Sequence, residues 1–143
     1  YRAGRPDDVP EIIDLIVREN HRRVEPDQVR RRIARHPSAV AHEGGELVAF
    51  IYSRRFAPDM IELSNMVVAA RVLRRGIGTR LVAMMEEELV RHGYVAAIFS
   101  NSWLHPGNSP AKSAVARAFW RRMGYREIFG TGGPTAVFAK RLA

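Results

Sequence analysis

The sequence predicts an α/β fold, a mixed sheet flanked by helices in the order β-α-α-β-β-β-α-β-α-β. Three observations predict it. A strand-like stretch, residues 61–68, runs through a basic glycine turn into a helical stripe of Ile77, Leu81, Met84, Met85 and Leu89. Short runs rich in β-branched and aromatic residues alternate with helical patterns along the rest of the chain. Finally, 143 residues at 46% apolar content suit one compact domain, residues 1–143, with a core of its own.

Taken in order, residues 1–3 read as a short edge strand. Asp8 and Glu11 have capping-box spacing, with Pro10 inside the first turn. Ile12, Leu15, Ile16 and Glu19 then trace a helix with one apolar face. Pro26 opens a second helix, Val29 and Ile33 face inward, and Pro37 ends it. Arg30, Arg31, Arg32 and Arg35 cover its remaining surface, either as a solvated face or as a rim that attracts an acidic substrate or a phosphorylated cofactor. Residues 39–42 and 46–54 read as strands joined at Gly44-Gly45, a hairpin signal. Residues 56–59 form a loop, and the central strand starts at Met60. Residues 94–100 are a continuously apolar run, as a buried strand requires. Residues 101–108 are a polar loop. Ser109 and Pro110 start the next helix, whose face is Val115, Ala118, Phe119 and Met123, and Gly124 ends it. Residues 135–140 are the last strand.

The formal net charge is +8, and nearly all of the positive charge is Arg, with Lys only at 112 and 140. Such a balance favours anionic partners: a phosphorylated cofactor, an acidic substrate or nucleic acid. Nucleic acid has only the charge in its favour, since no recognition motif or interleaved aromatic pattern accompanies it. There is no Cys, hence no disulfide and no thiol nucleophile. No metal-ligand spacing is present. No apolar run approaches the roughly 20 residues that span a bilayer. With no signal peptide visible, a cytoplasmic location is expected. Because the chain begins at Tyr1 rather than Met, a few residues are expected to precede it.

The glycine turn carries the first chemical signal. A helix N-terminus leaves N–H groups unpaired and bears partial positive charge. Gly76 and Gly78 let a phosphate approach those groups, and Arg74, Arg75 and Arg80 add full charges. A Gly-x-Gly turn can also be only a turn; the strand before it and the charges within it favour an anion site.

Here the chain resembles the GNAT acyltransferases. Their acetyl-CoA loop reads Gln or Arg, two residues, Gly, one residue, then Gly or Ala. Gly76 and Gly78 match the glycines, while the leading position falls on Leu73, which does not. The element order resembles that family's mostly antiparallel mixed sheet. A second local match is the segment from Ala116 to Tyr125, similar to the family's late helix. Ala116, Phe119, Gly124 and Tyr125 fit. Ser113 stands where the family usually has Asn, and Trp120 where it usually has Tyr. In many members that Tyr protonates the departing CoA thiolate, which an indole N–H cannot do. Trp120 therefore either packs the helix or lines the CoA channel.

The resemblance implies acetyl-CoA as co-substrate. It would lie along Met66, Val67 and Val68, with its pyrophosphate held by Arg74, Arg75, Gly76, Ile77, Gly78, Thr79 and Arg80, and would pass Ser113 and Trp120. A backbone N–H near Val67 or Val68 would polarise the thioester carbonyl. Glu62 shares a strand face with Ser64, Met66 and Val68. Its distance before Gly76 resembles the catalytic-base position of the histone-acetylating branch. In a partly apolar site it would take the acceptor's proton, directly or through water; otherwise it pairs with an arginine. His105 is a lone loop histidine, either exposed or an acid or base. The 101–108 loop reads as an insertion that closes over the acceptor, with Trp103 as an apolar wall and Asn101, Ser102, His105 and Asn108 offering hydrogen bonds.

The expected function is transfer of an acetyl group from acetyl-CoA to a primary amine of a small molecule or protein. The departures at Leu73, Ser113 and Trp120 motivate the alternative, a catalytically weak CoA- or ligand-binding module. Expected partners are acetyl-CoA and an amine acceptor, with a homodimer allowed and neither membrane nor nucleic acid.

Overall fold

The computed structural model describes residues 1–143. In chain order it contains β1 (Arg2–Ala3), α1 (Val9–Asn20), α2 (Pro26–Arg35), β2 (Ser38–Glu43), β3 (Glu46–Ala57), β4 (Met60–Val68), α3 (Ile77–Arg91), β5 (Ala96–Ser102), α4 (Pro110–Arg122), β6 (Arg126–Gly130) and β7 (Thr135–Arg141). Single 3-10 turns precede α1 and follow β4. The strands form one sheet in the order β1-β2-β3-β4-β5-β7-β6. Every neighbouring pair is antiparallel except β4 with β5.

The sheet is built around β3. Its run Leu47 to Tyr52 is buried without alternation, as expected of a strand covered on both faces. α1, α2 and α3 supply the cover, through Ile12, Leu15 and Ile16, through Val29 and Ile33, and through Leu81, Met85 and Leu89. Gly44 and Gly45, with φ of +60° and +80°, make the two-residue turn between Glu43 and its partner Glu46.

The capping box at Asp8 does not form. Asp8 is buried and turns back, accepting from the Arg5 N–H at 2.8 Å and from both terminal nitrogens of Arg2 at 2.7 Å. A bidentate charged partner outcompetes a helix N–H for a carboxylate. Glu11 instead accepts from the Leu47 N–H at 3.1 Å, tying α1 to β3. β3 runs three residues further than the expected end at Arg54, reaching Ala57, and takes in part of the predicted 56–59 loop. β5 begins and ends two residues later than predicted, so Asn101 and Ser102 are strand.

The sequence also left out β6. This edge strand pairs only with β7, and Ile128 and Phe129 are exposed, so no apolar alternation marked it. The inner face of α4 is Ser113, Ala116 and Trp120, with Phe119 and Met123 half-buried as predicted. Val115 and Ala118 point outward, Val115 with 72% of its surface exposed. A serine and a tryptophan made the true face look less apolar than its neighbour.

Candidate functional site

β4 and β5 pair over only three positions, Met60 with Ala96, Ile61 with Ala97 and Glu62 with Ile98. Beyond them each strand follows its other neighbour: Asn65 to Val68 stay on β3, and Phe99 to Ser102 stay on β7. The two strands therefore part, leaving a wedge in the middle of the sheet. The Ala69 N–H donates to Val48 across the β3 side. Since N–H direction alternates along an antiparallel ladder, Val67 shares that direction, and the N–H groups of Met66 and Val68 face the wedge. Of the two donors expected near the thioester, Val68 is the one so placed.

At the carboxyl end of β4 the chain enters α3 through a turn with two left-handed residues, Arg74 at φ +66° and Gly76 at φ +78°. None of the backbone N–H groups of residues 74–79 donates to a backbone carbonyl; the first helical bond is Arg80 N–H to Gly76 O at 3.0 Å. Six consecutive free N–H groups stand ahead of a 15-residue helix, an arrangement of the kind that can receive an anion. A Cβ on Gly78 would meet the Met66 methyl at 3.3 Å and the Phe119 ring at 3.5 Å, so this glycine lets α3 approach both β4 and α4.

The three arginine side chains have different neighbours. Arg75 pairs with Glu43 at 3.1 Å, and Arg80 lies over the Tyr1 ring at 4.2 Å. Arg74 has no acidic partner, and Leu73 beside it is exposed. The backbone amides and the Arg74 guanidinium are thus the donors left without a partner at this turn.

The wedge opens into a cleft of ≈ 310 Å³. Leu63 to Met66 form one wall, Phe99 to Asn101 the other, and Ala116 and Trp120 of α4 a third. Trp120 packs within the helix face and also borders this cleft. It is 8% exposed, packed on Phe99, Phe119 and Tyr125 with ring centroids 4.7–5.2 Å apart. Tyr125 is no substitute for the missing phenol. It is buried on Trp120 with its hydroxyl donating to Glu86 at 2.8 Å, and burial together with the Glu86 charge pushes its pKa upward. Lys140 closes that network through Glu86 at 2.9 Å and the Met123 carbonyl at 2.8 Å. Ser113 is 2% exposed, and its Oγ is the one buried side-chain polar atom without a hydrogen-bond partner. It lies on the same face of α4 as Ala116 and Trp120 but, unlike them, does not line the cleft.

Glu62 is in an adjoining recess of ≈ 220 Å³ that also contains Tyr52, Arg22, Arg32 and Arg54. The surroundings are mostly polar, with Val24, Val29 and Tyr52 as the apolar part of the lining. Arg54 donates to Glu62 Oε1 from Nη2 at 3.0 Å and from Nε at 3.2 Å, which leaves Oε2 open. Ser64 and Arg22 border both recesses.

The 103–108 segment roofs the cleft, with a different division of labour from that predicted. His105 lines it. Trp103 does not; it lies beneath the Arg117 guanidinium at 5.6 Å. The Ser102 hydroxyl is tied to Thr135 at 2.9 Å, and the Asn108 amide donates to the Ser102 carbonyl at 2.8 Å. Gly107 packs against the end of α1 so closely that a Cβ would come within 2.3 Å of the Asn20 carbonyl oxygen. Among residues the sequence reading assigned to the helix surface, Arg32 turns inward and donates to Ser64 Oγ at 2.9 Å. Its place between the inward-facing Val29 and Ile33 was the available signal. Arg22, in the loop between α1 and α2, had none.

Residues 27–127 match the family model described as the acetyltransferase (GNAT) domain. No curated protein sequence matches the chain. Among solved structures, the ribosomal-protein-S18-alanine N-acetyltransferase from Escherichia coli superposes with a TM-score of 0.80 at 17% identity, covering 99% of this chain and 92% of that one. Aminoglycoside 6'-acetyltransferase type Ii gives a TM-score of 0.80 at 20% identity, with coverages of 100% and 98%. An aminoglycoside 6'-N-acetyltransferase complexed with coenzyme A gives 0.76 at 18% identity, with coverages of 100% and 98%. These likenesses establish the fold.

Proposed function

The chain belongs to the GNAT acetyltransferase family and is an acyltransferase by class, and on that premise we propose that it moves an acetyl group from acetyl-CoA to a primary amine. One observation carries this reading: the six free N–H groups of residues 74–79 stand at the end of β4, where β4 and β5 part. The first feature suits a pyrophosphate and the second an extended pantetheine arm. Two further features support it. The Val68 N–H faces the wedge where a thioester oxygen would sit, and Trp120 and Ala116 give the channel an apolar wall.

In this reading the amine nitrogen forms a bond to the acetyl carbon, the carbon–sulfur bond breaks, and the amine proton leaves. Glu62 Oε2 receives that proton, through water from the neighbouring cleft, while Arg54 holds Oε1. The thiolate departs without a phenol, because α4 carries Trp120 at that position. The named acceptors of the structural neighbours are a ribosomal-protein alanine and aminoglycosides. Those differ on one fold, so the fold itself selects neither.

A second reading, a CoA-binding module with little turnover, is favoured by the Arg54–Glu62 pair and the absence of a phenol at Trp120. CoA release with a panel of primary amines separates the two. Release that requires both acetyl-CoA and an amine supports the transferase. Acetyl-CoA binding without amine-dependent release supports the module.

A further inference from the structure

The two recesses beside the wedge share an uneven charge. No carboxylate borders the central cleft, which holds Arg22 and Lys112. The adjoining recess holds Arg22, Arg32 and Arg54 against Glu62 alone, and Glu62 is already paired with Arg54. Arg22 and Arg32 are both half-buried, and neither forms an ion pair within the chain. Arg32 has a single neutral partner, the Ser64 hydroxyl. A guanidinium withdrawn from water without a counter-charge is costly, and its planar donors fit the oxygens of a carboxylate or phosphate. The same positive field reaches His36, whose pKa is held below the ordinary histidine value by burial and by Arg32, Arg35 and Arg55.

From this arrangement we propose that the acceptor is an amine carrying an anionic oxygen group, and that Arg22 and Arg32 bind that group in the recess next to the acetyl cleft. The inference rests on the transferase reading and adds the substrate class to it. Arg22 and Ser64 border both recesses, so a short molecule can put its anion on Arg22 and Arg32 while its amine reaches the cleft. The uncompensated positive charge repels a second ammonium, so a diamine is a poor acceptor. Arg22 and Arg32 are specificity-determining residues here, and they touch the acceptor rather than the cofactor.

The test compares three amines of equal length: 5-aminopentanoate, pentylamine and 1,5-diaminopentane, with 4-aminobutylphosphonate to separate carboxylate from phosphate-type anions. Acetyl transfer should have its highest kcat/KM with an anionic amine and its lowest with the diamine. Arg32→Gln and Arg22→Gln should raise the KM for the anionic amine by about 10-fold or more, as expected for loss of a charged hydrogen bond. KM for acetyl-CoA and for pentylamine should stay unchanged, and Arg32→Lys should recover part of the loss. A preference for the diamine, or equal KM rises for charged and neutral amines, overturns the proposal. Calorimetry with CoA and 5-aminopentanoate or 4-aminobutylphosphonate reads the recess without turnover. If no amine is acetylated, the transferase reading fails. The recess then stands if an anionic amine binds and Arg32→Gln weakens it, and falls if neither binds.

Discussion

At Gly76 the backbone adopts φ +78°, and a side chain there would meet open space. Substitution therefore acts through strain and charge rather than through a clash. Gly76→Ala adds left-handed strain of about 1 kcal/mol, whereas Gly76→Asp also puts a carboxylate beside the free N–H groups. Calorimetry should show acetyl-CoA affinity falling about 30-fold or more for the aspartate and distinctly less for the alanine, in the sense expected when a like charge is set against a bound anion. At Glu62 the expected outcome is a loss of turnover. Glu62→Gln should lower kcat about 100-fold, as for a typical general base, with acetyl-CoA affinity unchanged. Wild-type rates across the pH range would reduce Glu62 to the partner of Arg54. Asp8 gives a prediction about stability. Its burial works against the charged form, yet the bonds from Arg2 and the Arg5 N–H outweigh that and hold its pKa below the ordinary value. A carboxyl with a lowered folded pKa stabilises the fold above its unfolded pKa of about 3.9, and the contribution is lost as pH falls through the folded value. Asp8→Asn should cost about 2 kcal/mol at neutral pH, and the gap to wild type should close below about pH 4 in denaturant titrations.

Among the elements, the roof of the cleft makes the sharpest claim. The 103–108 segment reaches α1 only because Gly107, at φ +82°, carries no side chain against Asn20. Gly107→Ala should lift the roof, raising the acceptor KM several-fold while leaving acetyl-CoA affinity intact. Lost acetyl-CoA affinity with acceptor kinetics unchanged would place this segment over the cofactor instead. The roof also shows why part of the site was legible and part was not. His105 was identified by type, as the titratable group of a polar loop. Trp103 was assigned to the cleft by type as well, but Arg117, 14 positions later in sequence, draws it away. Arg75 and Arg80 follow the same pattern, since Glu43 and Tyr1 lie far from them along the chain. Local spacing reports what a backbone can do. The direction of a long side chain depends on partners brought in by the fold.

Over the whole molecule, strong periodicity made the helices and the buried strands readable, and their order was enough to place the glycine turn at the end of a central strand. The wedge was not readable from spacing. It arises because β4 stays with β3 and β5 with β7 after three shared positions, a property of register rather than composition. β6 escaped because an exposed edge strand has no face to bury. The net charge of +8 appears at this scale too. Binding of acetyl-CoA should weaken as salt rises from 50 to 500 mM, but incompletely, because neutral backbone donors contribute much of the contact at residues 74–79. The central claim is that those donors hold the pyrophosphate of acetyl-CoA, and backbone amide shifts read it residue by residue. On adding CoA, the N–H signals of Arg74 to Thr79 should move most, with smaller changes at Met66 and Val68, and pantetheine alone should leave the turn unmoved. Saturating CoA that shifts other amides while those of residues 74–79 stay in place would contradict the account.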